Sequence, residues 1–146
     1  MAEDTNQLRV RLVTPERILF DVVADAVELP AKSGYMEVLY GHAPLLSELG
    51  AGDVRLHGAK DRKGQVDVEQ IYNVNWGFVE VLPDHVTILA GDALKPEEID
   101  VSRAKEQLDR GQKEWLEAGD SVEAYDHALH VINEAEAKLA TAAEKH

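Results

Sequence analysis

The sequence contains no cysteine. That absence excludes disulfides, thiolate metal sites and cysteine nucleophiles together, and it suits a reducing compartment. No apolar run approaches the roughly 20 residues that a membrane-spanning helix needs. The opening stretch, Met1 to Gln7, has no basic region followed by an apolar segment, so neither a signal peptide nor an Arg-rich import leader is expected. Positive charge is scarce: 15 Lys and Arg stand against 28 Asp and Glu, a net charge of −13. Such a surplus repels nucleic-acid phosphates and anionic lipid, so nucleic-acid binding and direct membrane insertion are not expected. The catalytic signatures are missing too. There is no P-loop, no Gly-x-Ser-x-Gly elbow, no Gly-x-Gly-x-x-Gly after a strand and no His-Glu-x-x-His.

What is present is a folded-protein composition, with 45% apolar and 29% charged residues in 146. From Leu8 to Ala90 apolar residues alternate, as in Leu8-Val10-Leu12, Val27-Leu29, Val54-Leu56, Val66-Val68, Val79-Val81 and Val86-Ile88. Period two with frequent Val and Ile predicts half-buried strands. Turn signals separate them at Thr14-Pro15-Glu16, Ser33-Gly34, Gly50-Ala51-Gly52, Asp61 to Gly64 and Leu82-Pro83-Asp84. About eight short strands result, with the spacing of a sandwich or flattened barrel. After Lys95-Pro96 the period changes. Val101, Ala104, Leu108, Gly111, Trp115 and Ala118 form one helical stripe, and Val122, Tyr125, Leu129, Ile132, Ala135 and Leu139 a second. Gly119 is expected to end the first helix, and Asp120 or Ser121 to cap the next. The predicted architecture is α+β: a β-sandwich over residues 1–95 and an antiparallel two-helix hairpin over 96–146. The first part carries 9 basic and 15 acidic residues, the second 6 and 13, so the hairpin is the more densely acidic. Its thin stripes leave apolar surface bare unless a partner or the sandwich covers it.

Of the six histidines, His127 and His130 lie three apart beside Asp126, a loose spacing better read as polar residues flanking a helical stripe than as a metal site. No metal is expected. His42 sits in the turn Tyr40-Gly41-His42-Ala43-Pro44 with no carboxylate–serine arrangement near it, so it is read as holding loop backbone. Trp76 and Phe78, two apart, are read as core or interface and not as a base-stacking platform. No polar cluster supports an enzyme.

Four stretches together resemble the ε subunit of bacterial F-type ATP synthase. They are Val27-Glu28-Leu29-Pro30 leading through Gly34 into Val38-Leu39-Tyr40-Gly41-His42-Ala43-Pro44-Leu45-Leu46; Leu49-Gly50-Ala51-Gly52; Gly77-Phe78-Val79-Glu80-Val81 with Val86-Thr87-Ile88-Leu89-Ala90; and Ile99-Asp100-Val101-Ser102-Arg103-Ala104, which is similar to the family's [I/L]DxxRA motif. The resemblance covers essentially the whole chain. It implies a sandwich of about ten strands followed by the hairpin, and a rotor subunit that performs no chemistry itself. The implied partners are the γ subunit, the ring of membrane c subunits and, with the hairpin extended, the catalytic αβ subunits, where it blocks ATP hydrolysis. The implied location is peripheral, at the cytoplasmic face of a bacterial inner membrane.

Carried over residue by residue, the resemblance implies that the stretch from Lys32 to His42 is a contact tip for the c ring and γ, with Tyr35, Tyr40, Gly41 and His42 as its candidates. Ala31, Tyr35, Glu37 and Tyr40 depart from the family's usual residues there. Asp100 and Arg103 match a motif that binds ATP in some members, with Arg110 a further candidate. Asp100 equally suits a helix N-cap and Arg103 a salt-bridge partner. No cofactor is expected, and ATP enters only as a regulatory ligand. The second helix has no Arg from Ser121 onward and is net −3, an unfavourable wall for a triphosphate. Inhibitory contacts are therefore assigned to the first helix, to Arg103, Lys105, Arg110 and Lys113. The alternative is a stand-alone sandwich–hairpin adaptor or nucleotide-sensing module; a small hydrolase ranks behind both.

Overall fold

In the computed structural model, residues 7–61 and 71–144 are described. The expected strand at Val66-Val68 and most of the Asp61–Gly64 turn lie outside them, as do Lys145 and His146. The chain divides into two compact units, Met1–Ala93 and Leu94–His146.

Alternation places one side of each strand in the first unit's core. The strands are β1 (Leu8–Val13), β2 (Ile18–Ala24), β3 (Ala26–Ala31), β4 (Gly34–Leu39), β5 (Leu45–Leu49), β6 (Gly52–His57), β7 (Ile71–Val81) and β8 (His85–Leu94). Leu8, Val10, Leu12, Val27, Leu29, Val54, Val79, Val81, Val86 and Ile88 are all fully buried, as the period-two reading expects. Each such side chain contributes about 1.5–3 kcal/mol by leaving water. Neighbours run β2-β1-β8-β7-β5-β3-β4, with β6 bridging β3 and β7. β1 pairs antiparallel with β2 and parallel with β8.

Eight strands are present among the described residues, not about ten. Part of the difference lies in β7, which is 11 residues long and serves two partners: Ile71–Val74 pair with β6 and Gly77–Val81 with β5. The change of partner falls at Trp76, which takes φ 50°, and Gly77, which takes φ 154°. A Cβ at Gly77 would run into the Leu89 carbonyl, so only glycine fits. The aromatic pair falls outside the core: Trp76 is half-buried and Phe78 is 51% exposed, opposite Glu48.

The second unit opens with a single 3₁₀ turn, Pro96–Glu98, whose Glu98 carboxylate accepts from the Lys95 N–H at 2.8 Å. Helices α1 (Val101–Glu117) and α2 (Val122–Glu144) follow. Asp100 caps α1 by accepting from the Arg103 N–H at 3.1 Å, and Ser121 Oγ accepts from the Ala124 N–H at 3.1 Å, capping α2. The stripe expected for α1 holds at Ala104 and Gly111, both buried. The stripe expected for α2 holds at Ala135 and is displaced by one position before it. Val122, Tyr125 and Leu129 are exposed, while Ala128, Val131 and Ala135 are buried. The cause is Gly111: a Cβ there would lie 2.8 Å from Ile132 Cγ1 and 3.0 Å from Val131 Cγ1. The helices approach closely through Gly111 and the alanines, and the bulky apolar side chains of α2 move to the flank. There Tyr125 meets Trp115 of α1 edge-on, ring centroids 5.0 Å apart.

Candidate functional site

The start of α1 forms one wall of an open cavity of about 470 Å³ inside the second unit. Asp100, Arg103 and Arg110 all line it, together with Ile99, Ala104, Gln107 and Lys138. Arg103 and Arg110 come together because seven residues are close to two helical turns. Lys138 arrives from α2, the helix set aside on its acidic charge. The lining thus carries three cations, Arg103, Arg110 and Lys138, against three carboxylates, Glu98, Asp100 and Glu106. The cavity is locally neutral within a hairpin that is otherwise strongly acidic. Gln107 Nε2 donates to the Val131 carbonyl at 3.3 Å and ties the helices at the cavity edge. The free N–H groups of the first turn of α1 add positive potential at the same end. Chemically the site can hold an anion; it has no nucleophile–base pair.

Sequence reasoning missed Lys138 as a lining residue, since pairing of α2 with α1 is needed to bring it there. Of the four cations assigned to inhibitory contacts, Arg103 and Arg110 share the cavity. Lys105 and Lys113 are exposed and do not line it.

The stretch read as one contact tip from Lys32 to His42 is a tight turn, a strand and a second turn. Val38 is buried in the core and pins β4 as a strand, so Tyr35 and Tyr40 stand near opposite ends of it, about 17 Å apart at 3.4 Å per residue. Tyr35 is 60% exposed, and its hydroxyl accepts from the Asp53 N–H at 2.9 Å. At the other end Gly41 takes φ 90° and donates its N–H to the Pro83 carbonyl at 2.7 Å. The His42 N–H donates to the Leu39 carbonyl at 3.1 Å, and its Nδ1 is 2.7 Å from the Ala43 carbonyl, so this histidine does hold loop backbone. Leu45 and Leu46 follow after Ala43 and Pro44, 39% and 71% exposed. Tyr40, Gly41 and His42 therefore form one surface with apolar residues beside it, and Tyr35 belongs elsewhere.

Among the histidines, His127 faces Glu114 of α1 at 3.3 Å rather than joining Asp126 and His130. Among the described residues, the ligand-type side chains that converge are instead Glu28, Glu37 and His57 on the sandwich. A two-residue turn at Lys32-Ser33 makes Glu28 and Glu37 cross-strand partners, which the sequence could have revealed. The approach of His57 through β6 could not be read locally.

Comparison with known proteins places these features in context. The family described as ATP synthase, Delta/Epsilon chain, beta-sandwich domain matches residues 7–96. An ATP synthase epsilon chain of Solibacter usitatus is 41% identical over 138 residues, covering 94% of this chain and 97% of the relative. One of Koribacter versatilis is 41% identical over 108 residues, covering 74% and 71%. Among solved structures, a chain in the Euglena gracilis mitochondrial ATP synthase OSCP/F1/c-ring assembly superposes with a TM-score of 0.73 at 19% identity, covering 95% of this chain and 82% of that one. A chain of the Tetrahymena thermophila mitochondrial ATP synthase central stalk and c-ring gives 0.67 at 14% identity, covering 92% and 96%.

Proposed function

This chain belongs to the ATP synthase delta/epsilon family, and on that footing we propose that it is the epsilon-type central-stalk subunit of a bacterial F-type ATP synthase. The observation that carries the reading is the 41% identity to an epsilon chain across nearly the full length of both proteins. In this role the subunit turns with the c ring and γ, transmits torque and performs no chemistry. No helix among the described residues is long and apolar enough to cross a membrane; in this reading the subunit attaches to the complex through protein contacts at the cytoplasmic face. The surface of Tyr40, Gly41 and His42, with exposed Leu45 and Leu46 beside it, is the candidate contact for the ring and γ. Its backbone is fixed by hydrogen bonds to Pro83 and Leu39, which lowers the ordering cost of docking.

The hairpin fits a regulatory element. Trp115, Leu116, Val122 and Leu129 are each at least 41% exposed, an apolar surface that gains by finding an alternative partner, here the catalytic αβ subunits. The cavity of Arg103, Arg110 and Lys138 is the candidate site for ATP as a regulatory ligand. Phosphate oxygens would take the guanidinium groups and the N–H groups opening α1, and Lys138 offsets the acidic charge of α2.

The test is reconstitution. The full chain is added to the cognate catalytic head carrying γ but no epsilon subunit, and the mixture is separated by size. Stoichiometric co-elution is expected. A head that elutes without the chain would overturn the reading and move a stand-alone adaptor to the front.

A further inference from the structure

Outside the hairpin cavity and the Tyr40–His42 turn, three ligand-type side chains meet on the outward face of β3, β4 and β6. The register dictates the meeting. Glu28 of β3 stands directly opposite Glu37 of β4 on one side and Arg55 of β6 on the other. His57, two residues beyond Arg55, shares its face and stands opposite Ala26. The intervening residues Val27, Val38 and Leu56 point into the core. His57 Nε2 lies 2.7 Å from Glu28 Oε1, and one ligand atom from each of Glu28, Glu37 and His57 lies within 4.8 Å of the other two.

This arrangement is electrostatically incomplete. Two carboxylates directly opposite on adjacent antiparallel strands repel each other. Among the described residues Glu37 has no ion-pair partner, and Arg55 stands on the far side of Glu28 from it. Protonated His57 balances one carboxylate at most. A divalent cation balances both and uses the imidazole as a neutral ligand. The donor set also selects the ion. One imidazole and two carboxylates suit zinc, whereas magnesium favours an octahedron of oxygens. Zinc–ligand bonds of about 2.0–2.2 Å separate tetrahedral donor atoms by roughly 3.3–3.6 Å, so rotation of exposed side chains closes the set. The Glu28 and His57 side chains are 36% and 47% exposed, which leaves an entry path and room for water at the fourth position.

We propose that Glu28, Glu37 and His57 form a zinc-type divalent-cation site. It ties β4, an end strand of the sheet order, through β3 to β6. The site is independent of the hairpin and of the rotor reading, and it concerns the stability of the sandwich.

The experiment uses the purified full chain, stripped with chelator and titrated calorimetrically with zinc chloride, with magnesium chloride as control. One saturable zinc site is expected, and no comparable magnesium site. Glu37→Gln and His57→Gln should each weaken zinc binding more than about tenfold, since even outer-shell changes at metal sites cost 10–100-fold. His127→Gln should leave it unchanged. Zinc should raise the melting temperature of the natural chain but not of either site variant. Without metal, Glu37→Gln should melt higher than the natural chain, because it removes the cross-strand repulsion; that readout also shows the variant folds. No saturable zinc binding, or binding that survives both site substitutions, would overturn the proposal.

Discussion

At Gly77 the backbone takes φ 154° and passes so near the Leu89 carbonyl that no side chain fits. Gly77→Ala combines an unfavourable dihedral with a backbone clash, and it should cost more than about 3 kcal/mol in urea unfolding of the full chain. A loss below 1 kcal/mol would mean that β7 can change partner without this turn. Asp100 and Arg103 are adjacent in function but separable by experiment. Asp100→Ala removes an N-cap and should lower hairpin stability by about 1 kcal/mol, read by hydrogen exchange in α1. Arg103→Ala leaves the cap in place, since Asp100 accepts from the Arg103 backbone N–H and not from its side chain. It should weaken ATP binding about tenfold or more in a calorimetric titration, as expected for a charge-assisted contact. ATP affinity unchanged by Arg103→Ala would move the nucleotide away from this cavity. Asp100 was legible as a cap because capping is local. Lys138 was not legible as a cavity residue, because its position depends on how two helices pack.

At the scale of elements, strands were read more faithfully than helix faces. A strand has two faces, and a run such as Leu8-Val10-Leu12 has one consistent choice of which to bury. A helix offers a continuum of faces, and hydrophobicity alone selected the bulkiest stripe of α2, Val122-Tyr125-Leu129. Packing kept Ala135 of that stripe but buried Ala128 and Val131 where Leu129 and Ile132 were expected, because Gly111 allows a close approach that small residues exploit. Gly111→Val tests this. Overpacking should cost about 1–3 kcal/mol, only partly offset by the roughly 0.5 kcal/mol gained when glycine leaves a helix interior. Amide exchange should quicken in both helices and not in the sandwich. Unchanged protection of α2 would show that Gly111 is not its contact. The segment from Lys32 to His42 was read as one loop for a related reason. Turn residues flank it at both ends, and Val38, which makes it a strand, is its single buried position, with Glu37 and Leu39 exposed on either side.

For the whole molecule, the two units suggest a division of labour that ATP hydrolysis can expose. With the cognate head lacking epsilon, the full chain should slow hydrolysis, and a chain ending after Lys95 should bind without slowing it. Equal rates with both forms bound would remove the hairpin as the brake. Charge reversal at Arg103, Lys105, Arg110 and Lys113 should relieve the slowing; an unchanged rate would assign inhibition to the exposed apolar flank of Trp115, Leu116, Val122 and Leu129. The sequence by itself determined most of the strands, the two helices with their caps, the acidic balance and the family, because each is written in local periodicity, local hydrogen bonding or residues in linear order. Only the tertiary structure decided that β7 serves two partners, that α2 buries its alanines, that Lys138 joins Arg103 and Arg110, and that His57 meets Glu28 and Glu37. Those depend on contacts between residues about 20 to 40 positions apart, where steric fit and charge between distant segments, and not the pattern of any one segment, set the arrangement.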